Sequence, residues 1–289
     1  MGSVADRMVE SMTSGERHLS SEAQRWDGET GEKWVRNADL LDGMLAPFSD
    51  ALLEAIGASS FECPLDIGSG AGSLTLKLAR RSPGTTGLDV SSPLITLARR
   101  RAEDARSPAR FVLADAAEYA PDTKHDLLVS RFGVMFFEDS VTAFSQLRRA
   151  ALSGAPMHFV CWREPKRNPW ASLPARIARE DLGLELRTPD PEAPGPFAFA
   201  MEDRLRGILS DAGWRSVAIE PLVKMIAIPG NNAREAAGFL VELGPLARPL
   251  EEAGVPREAL IDKLCEALPE GQNGKISLLG EAWFVSAKA

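Results

Sequence analysis

The 289-residue sequence predicts an α/β fold built on a doubly wound, mostly parallel sheet. Three observations lead there. From about Asp50 to Trp162, short apolar runs alternate with helical patterns. The first of these runs ends directly in a cluster of glycines. Acidic residues then sit in or at the ends of three successive strand candidates.

The elements follow in chain order. Pro64-Leu65-Asp66-Ile67 reads as a short first strand leading into Gly68-Ser69-Gly70-Ala71-Gly72. A helix from Ser73 to Arg81 carries Leu74 and Leu78 on one face. Thr85 to Val90 is the second strand. Ser91-Ser92-Pro93 then starts a helix, with serine as cap and proline in the first turn. Arg110 to Ala114 and Asp126 to Arg131 are strands three and four. Val141, Phe144, Leu147 and Ala151 recur at helical spacing between Ser140 and Leu152, and Met157 to Trp162 is strand five. Two later strands are expected at Trp214 to Pro221 and at Ile276 to Val285.

Two segments break the alternation. Glu164 to Ala200 holds seven of the chain's 20 prolines, too many for regular core structure. Asn231 to Asn273 is helical in pattern and lies between the last two strands. Both are expected to form caps over the site of an α/β enzyme and to line its substrate pocket.

Composition excludes several classes. Hydrophobic residues make up 44% and charged residues 26%, an ordinary globular balance. No stretch approaches the roughly eighteen apolar residues of a membrane span, and mean hydropathy is -0.13. The first fifty residues mix acids, arginines and serines with no apolar segment of the signal-peptide kind. Cys63, Cys161 and Cys265 are far apart and form no CxxC or Cys/His pair, so no metal site or disulfide framework is predicted. A reducing cytoplasm is the expected location. The net charge of -8 argues against nucleic-acid backbones as partners. Arg99-Arg100-Arg101 is read as a solvated helix face rather than a basic patch.

The chemistry concentrates in the strand ends. At the glycine turn, backbone N–H groups approach a ligand with no side chain in the way. Dinucleotide enzymes use a similar turn, but Ser73 breaks their GxGxxG spacing and leaves GxGxG. Asp66, two positions before the first glycine, would repel a pyrophosphate and attract a cationic ligand. Asp89 ends the second strand, 23 residues after Asp66, where a carboxylate accepts both hydroxyls of a ribose. Asp115 closes the third strand and is placed to meet an adenine amino group. Open α/β sheets bind ligands at these carboxyl ends.

These residues resemble the class I S-adenosylmethionine-dependent methyltransferase superfamily, and most closely its bacterial small-molecule enzymes. The resemblance implies a Rossmann-like, seven-stranded sheet whose last strand is antiparallel. It implies a domain over residues 50–289, with cap insertions at 164–200 and 231–273, preceded by a helical lid over residues 1–49. Gly68, Ser69 and Gly70 would flank the methionine part of S-adenosylmethionine, with Gly72 also binding the cofactor. Asp89 would hold the ribose, Asp115 and Ala116 the adenine, Val90 would also bind the cofactor, and Ser130 would lie beside the sulfonium. Trp26-Asp27-Gly28-Glu29-Thr30-Gly31-Glu32-Lys33-Trp34 resembles the lid, with Trp34 over the cofactor as an aromatic partner for a cation. Ser153-Gly154-Ala155-Pro156 replaces the family's Pro-Gly-Gly turn.

Phe132, Met135, Trp162, Trp170 and Phe197 are the expected substrate wall. The run from Leu127 to Phe137 offers no carboxylate, and His18, His125 and His158 give no convincing base. Methyl transfer from a sulfonium proceeds largely by in-line positioning, so none is required. The expected partner is a small-molecule acceptor, methylated on O, N or C, with a homodimer left open. A cofactor-binding relative without methyl transfer is the alternative. A nicotinamide oxidoreductase is disfavoured by Ser73 and Asp66.

Overall fold

The computed structural model describes residues 21–186, 190–243, 246, 250, 252–269 and 274–289. Among the described residues three helices come first: α1 (Ser21–Asp27), α2 (Glu29–Arg36) and α3 (Ala38–Ile56). The alternating core follows as β1 (Pro64–Ile67), α4 (Ser73–Ala79), β2 (Thr86–Asp89), α5 (Ser92–Asp104), β3 (Arg110–Leu113) and β4 (Leu127–Arg131). After it come α6 (Ser140–Ala150), β5 (Pro156–Trp162), α7 (Pro169–Glu180), α8 (Glu202–Asp211), β6 (Arg215–Ala227), α9 (Ala233–Leu243), α10 (Arg257–Ala267) and β7 (Ser277–Lys288). No helix among the described residues is long and apolar enough to cross a membrane.

The seven strands form one sheet in the order β3-β2-β1-β4-β5-β7-β6. β1 to β5 pair in parallel, and β7 runs antiparallel to both β5 and β6. The order reverses direction at β1, so the crevice between the β1 and β4 ends is the switch point where such sheets bind ligands. Burial on both faces explains why β1, β2 and most of β4 read as unbroken runs rather than alternations.

β6 extends six residues beyond the expected end at Pro221. The Ile228 N–H bonds the Ile276 carbonyl, and the register is continuous from Ala218 to Ala227. Even-numbered residues on this stretch therefore bond inward to β7, and Pro221 places its missing N–H on the open edge. Proline is tolerated in an edge strand for that reason.

α3 buries Leu41, Leu45, Phe48, Leu52 and Ile56 at three- and four-residue spacing. That stripe packs on β4, β5 and β6. Ser91 caps α5, its hydroxyl accepting from the Leu94 N–H, as the sequence predicts. The arginine run that follows divides three ways. Arg99 donates to the Phe111 carbonyl, Arg100 pairs with Asp104 on the surface, and Arg101 turns inward to Asp42 and Asp39.

The segment after β5 is held by one buried amide. Asn168 is fully buried. Its Nδ2 donates to the carbonyls of Arg163, Glu164 and Glu281, and its Oδ1 accepts from the Glu281 N–H and the Trp170 indole. α7 packs against β7, α9 and α10, so both insertions form a single helical layer beside that strand. Asn168→Ala leaves several buried backbone groups unpaired and is expected to cost about 2–4 kcal/mol. Urea unfolding checks this as a lower midpoint at unchanged slope; an unchanged midpoint contradicts the assigned role.

Candidate functional site

The glycine turn after β1 is built by close backbone approach. Gly68 has φ +64°, and a Cβ there would lie 2.6 Å from the Cα of Gly133. Gly133 meets Gly68 equally closely from the loop after β4. Ser130 Oγ braces the pair, donating to the Ile67 carbonyl and accepting from the Gly133 N–H. The turn is also tied to β2. Ser69 N–H bonds the Leu88 carbonyl, and Gly70 N–H bonds Asp89 Oδ2 at 2.7 Å. Asp89 Oδ1 accepts from the Ser91 N–H, so its carboxylate ties together the loops after β1 and β2.

Around these loops lies a cavity of about 800 Å³. Its floor brings together Asp66, Gly68, Ser69, Gly70, Asp89, Val90, Asp115, Ala116 and Phe132. α1, α2 and α3 complete the wall with Glu22, Trp26, Trp34, Leu41, Asp42 and Leu45. The first helices are anchored on both sides of the sheet switch point. The Ser92 N–H bonds Asp27 at 2.7 Å, and Ser21 donates through its N–H and hydroxyl to Glu138. Trp26 packs edge-on against Trp34 at 5.3 Å and against Phe136 at 4.9 Å. The Lys33 ammonium donates to the Glu242 carbonyl in the last turn of α9, where a helix favours positive charge.

Burial governs the electrostatics. It raises the Asp66 carboxyl to about 7, against the opposing effects of the Thr75 hydroxyl and the Arg131 charge. Burial likewise raises Asp89, opposed by the N–H groups of Ser91 and Gly70. Asp115 accepts from the Ala117 N–H at 2.8 Å, which turns the chain out of β3. Arg131, at the end of β4, donates to Ser49 and to Asp42, and Arg101 reaches the other oxygen of Asp42. A pair held this way returns in attraction about what its desolvation costs, so its main effect is to fix where α3 sits.

Several expected site residues stand elsewhere. Gly72 begins α4 with φ +84°, and a Cβ there would strike the Phe111 ring at 2.7 Å; it serves packing, not the cavity. Ser130 is fully buried, both its hydroxyl bonds are used within the loop, and it does not line the cavity. Met135 Sδ accepts from the Trp162 N–H beneath the floor. Trp162 stacks behind Phe132 at 4.1 Å, Trp170 packs on Trp162, and Phe197 stacks on Trp170. No described residue of 164–200 or 231–273 lines the cavity; α7 packs on β7, and α9 and α10 pack on α7.

The sequence reading missed carboxylates. Glu138 and Asp139, just past the apolar run after β4, line the cavity together with Glu22 and Glu118. Asp139 also caps α6 through the Thr142 N–H. The Asp139-Ser140 start of a helix was the available signal for its placement. Asp39 and Asp42, one turn apart on α3, were the signal for an inward-facing arginine. Neither His125 nor His158 reaches the cavity, and His18 lies outside the described residues. His125 accepts from Tyr119 and donates to the Cys63 carbonyl, a structural bridge.

Comparison with known proteins agrees with this geometry. Residues 65–154, which run from β1 into the turn before β5, match a family model described as a methyltransferase domain. An uncharacterized methyltransferase of Mycobacterium tuberculosis is 36% identical over 118 residues, covering 40% of this chain and 58% of its own length. The demethylmenaquinone methyltransferase of Thermus thermophilus is 37% identical over 93 residues, 31% of this chain and 42% of its own. The chain therefore spans less than two thirds of the curated relatives it matches. In fold it is similar to the phosphoethanolamine N-methyltransferase 2 of Haemonchus contortus, solved with S-adenosyl-L-methionine. That likeness has a TM-score of 0.56 at 15% identity, over 94% of this chain and 60% of that one.

The buried Asp66 sets a pH dependence. Its carboxyl is raised above the ordinary 3.8, so its stabilising effect is complete below that value and is lost as pH rises through about 7. Burial lowers His125 and His158, whose effect runs the other way, and both remain in an Asp66→Asn variant. Between pH 4 and 8 the ligand-free parent is expected to lose stability relative to Asp66→Asn. Urea midpoints across that range measure the difference, and a difference that stays flat contradicts the assignment.

Proposed function

We propose that the protein transfers the methyl group of S-adenosylmethionine to O, N or C of a small-molecule acceptor. The observation that carries this reading is one cavity joining the glycine turn to Asp89, which ends β2, and to Asp115, two residues past β3. The residues present suit the cofactor. Ser69 Oγ is buried without a hydrogen-bond partner, a state that a polar ligand at the turn would relieve. The cavity volume of about 800 Å³ is in the upper part of the range for small-molecule sites.

On this reading Asp89 takes the ribose hydroxyls, Val90, Asp115 and Ala116 hold the adenine, and Gly68, Ser69 and Gly70 surround the methionine portion. When bound, S-adenosylmethionine supplies an electrophilic methyl group on a cationic sulfur. The acidic wall favours that charge, and the face of Trp34 adds to it. α1 and α2 cover the cavity and exclude water, while the braced loop after β4 holds the acceptor in line. The cysteines present in the structure are all free, which fits a reducing cytoplasm, and the acidic pI near 5.1 fits a small acceptor better than nucleic acid.

S-adenosylhomocysteine is expected to raise the melting temperature, with about 2.7 kcal/mol added at a hundredfold excess over its dissociation constant. No shift at saturation would remove the reading. Binding without release of S-adenosylhomocysteine from S-adenosylmethionine, across an acceptor panel, would instead favour a cofactor-binding protein that transfers no methyl group.

Asp89→Ala is expected to lower both affinity and stability. Hydrogen bonds to a charged acceptor contribute about 1.5–3 kcal/mol each, so affinity for S-adenosylhomocysteine should fall about ten- to a hundredfold. Because Asp89 also ties the N–H groups of Gly70 and Ser91, the ligand-free variant should melt earlier than the parent. Calorimetry and thermal melts read the two effects separately. Affinity within about twofold of the parent, well short of a decade, would exclude Asp89 from the ribose site.

A further inference from the structure

We propose that Arg131 is a specificity residue for the cofactor, pairing with the carboxylate at its amino-acid end. The inference rests on the methyltransferase reading and deepens it, because it assigns the one part of S-adenosylmethionine that an acidic wall would reject. The sulfonium and the amine suit carboxylate neighbours, whereas the cofactor's own carboxylate needs a cation. Among the described residues that line the cavity, Arg131 is the one cation, and every other charged residue there is acidic.

The strand order puts Arg131 at the end where that group belongs. Asp115 follows β3, Asp89 ends β2 and the glycine turn follows β1, so adenine, ribose and methionine run in that order across the sheet. β4 is the next strand. Asp66 in β1 pairs in register with Val129 in β4. Arg131, two residues on, therefore ends β4 beside the start of the glycine turn.

The guanidinium is held there without being neutralised. Its side chain is 12% exposed and is fixed by Asp42 at 2.9 Å and Ser49 at 3.1 Å, two turns apart on α3. Those bonds use two of the five N–H donors that an arginine carries. Asp42 is shared, because its other oxygen accepts from Arg101 at 2.8 Å. Arg101 also reaches Asp39, but that carboxylate is 96% exposed and water screens it. Two guanidinium groups thus meet a single shielded carboxylate, which leaves a positive surplus beside the cavity. Asp66 does not cancel it: burial raises its carboxyl to about 7, and its Oδ2 accepts from Thr75. A ligand carboxylate supplies the missing charge, and the planar fork of an arginine matches it with two parallel bonds.

Calorimetry on the full chain with three ligands tests this. They are S-adenosylhomocysteine, its decarboxylated analogue, which keeps the amine, and methylthioadenosine, which has neither group. The parent should bind S-adenosylhomocysteine about tenfold or more tighter than the decarboxylated analogue. The acidic wall alone would favour the opposite order, because the analogue is the more cationic of the two. Arg131→Gln should remove or reverse that preference, with methylthioadenosine bound within about twofold of the parent, far less than a decade. Arg131→Lys keeps a cation for Asp42 and should retain only part of the preference, so it decides the question if Arg131→Gln does not fold. Equal binding of the first two ligands by the parent overturns the proposal without any variant. A preference untouched by either substitution overturns it too, as does an equal weakening of all three ligands, the result of a purely structural role. Failure of the parent to bind any of the three is a different result and removes the methyltransferase reading itself.

Discussion

The site depends on two glycines in contact. Gly68 and Gly133 approach so closely that a methyl group on either would overlap the other's main chain. The loop after β1 and the loop after β4 are consequently one rigid piece, locked by the Ser130 hydroxyl between them. Every other feature is positioned from that piece. The glycine turn reaches Asp89 in one direction. In the other, the chain leaves the contact through Phe132 and the helical turn that carries Phe136 to Asp139. A shift at either glycine would move the walls on both sides of the cavity together.

A second constraint is electrostatic. Asp66 and Asp89 are nearly inaccessible, and burial raises both carboxyl groups. Hydrogen bonds from Thr75, Gly70 and Ser91 offset part of that cost. At Asp66 the Arg131 charge offsets a further, smaller part, and Arg131 is itself balanced by Asp42, which connects the end of β4 to α3. α3 is thus tied to the site by charge as well as by apolar packing.

Much of this was legible in the sequence because local pattern and tertiary role coincide. The turn at Gly68 to Gly70, the strand-end acids Asp89 and Asp115, and the proline-marked start at Ser91 each state their structure within a few residues. Residues whose role depends on distant partners were not legible in the same way. Ser130 looks like a ligand-facing hydroxyl until Ile67 and Gly133 are seen to occupy it. Trp170 and Phe197 look like cavity wall because large aromatics in an irregular segment often are, yet they sit behind Trp162. Arg101 looks like its two exposed neighbours, because only the fold reveals Asp42 opposite. β6 appeared to stop at Pro221 because the sequence does not reveal which edge a missing N–H faces.

The way α1 and α2 are fastened bears on the kinetics of the molecule. Their polar anchors include Asp27 on Ser92 and two exposed ones, Ser21 on Glu138 and Lys33 on the end of α9. Exposed contacts of this kind are individually weak. Segments held in that manner open at far lower free energy than the core on which they rest. Backbone amides of α1 and α2 should therefore exchange with solvent faster than those of β1 or β4, and a ligand beneath them can come and go through local opening while the sheet stays folded.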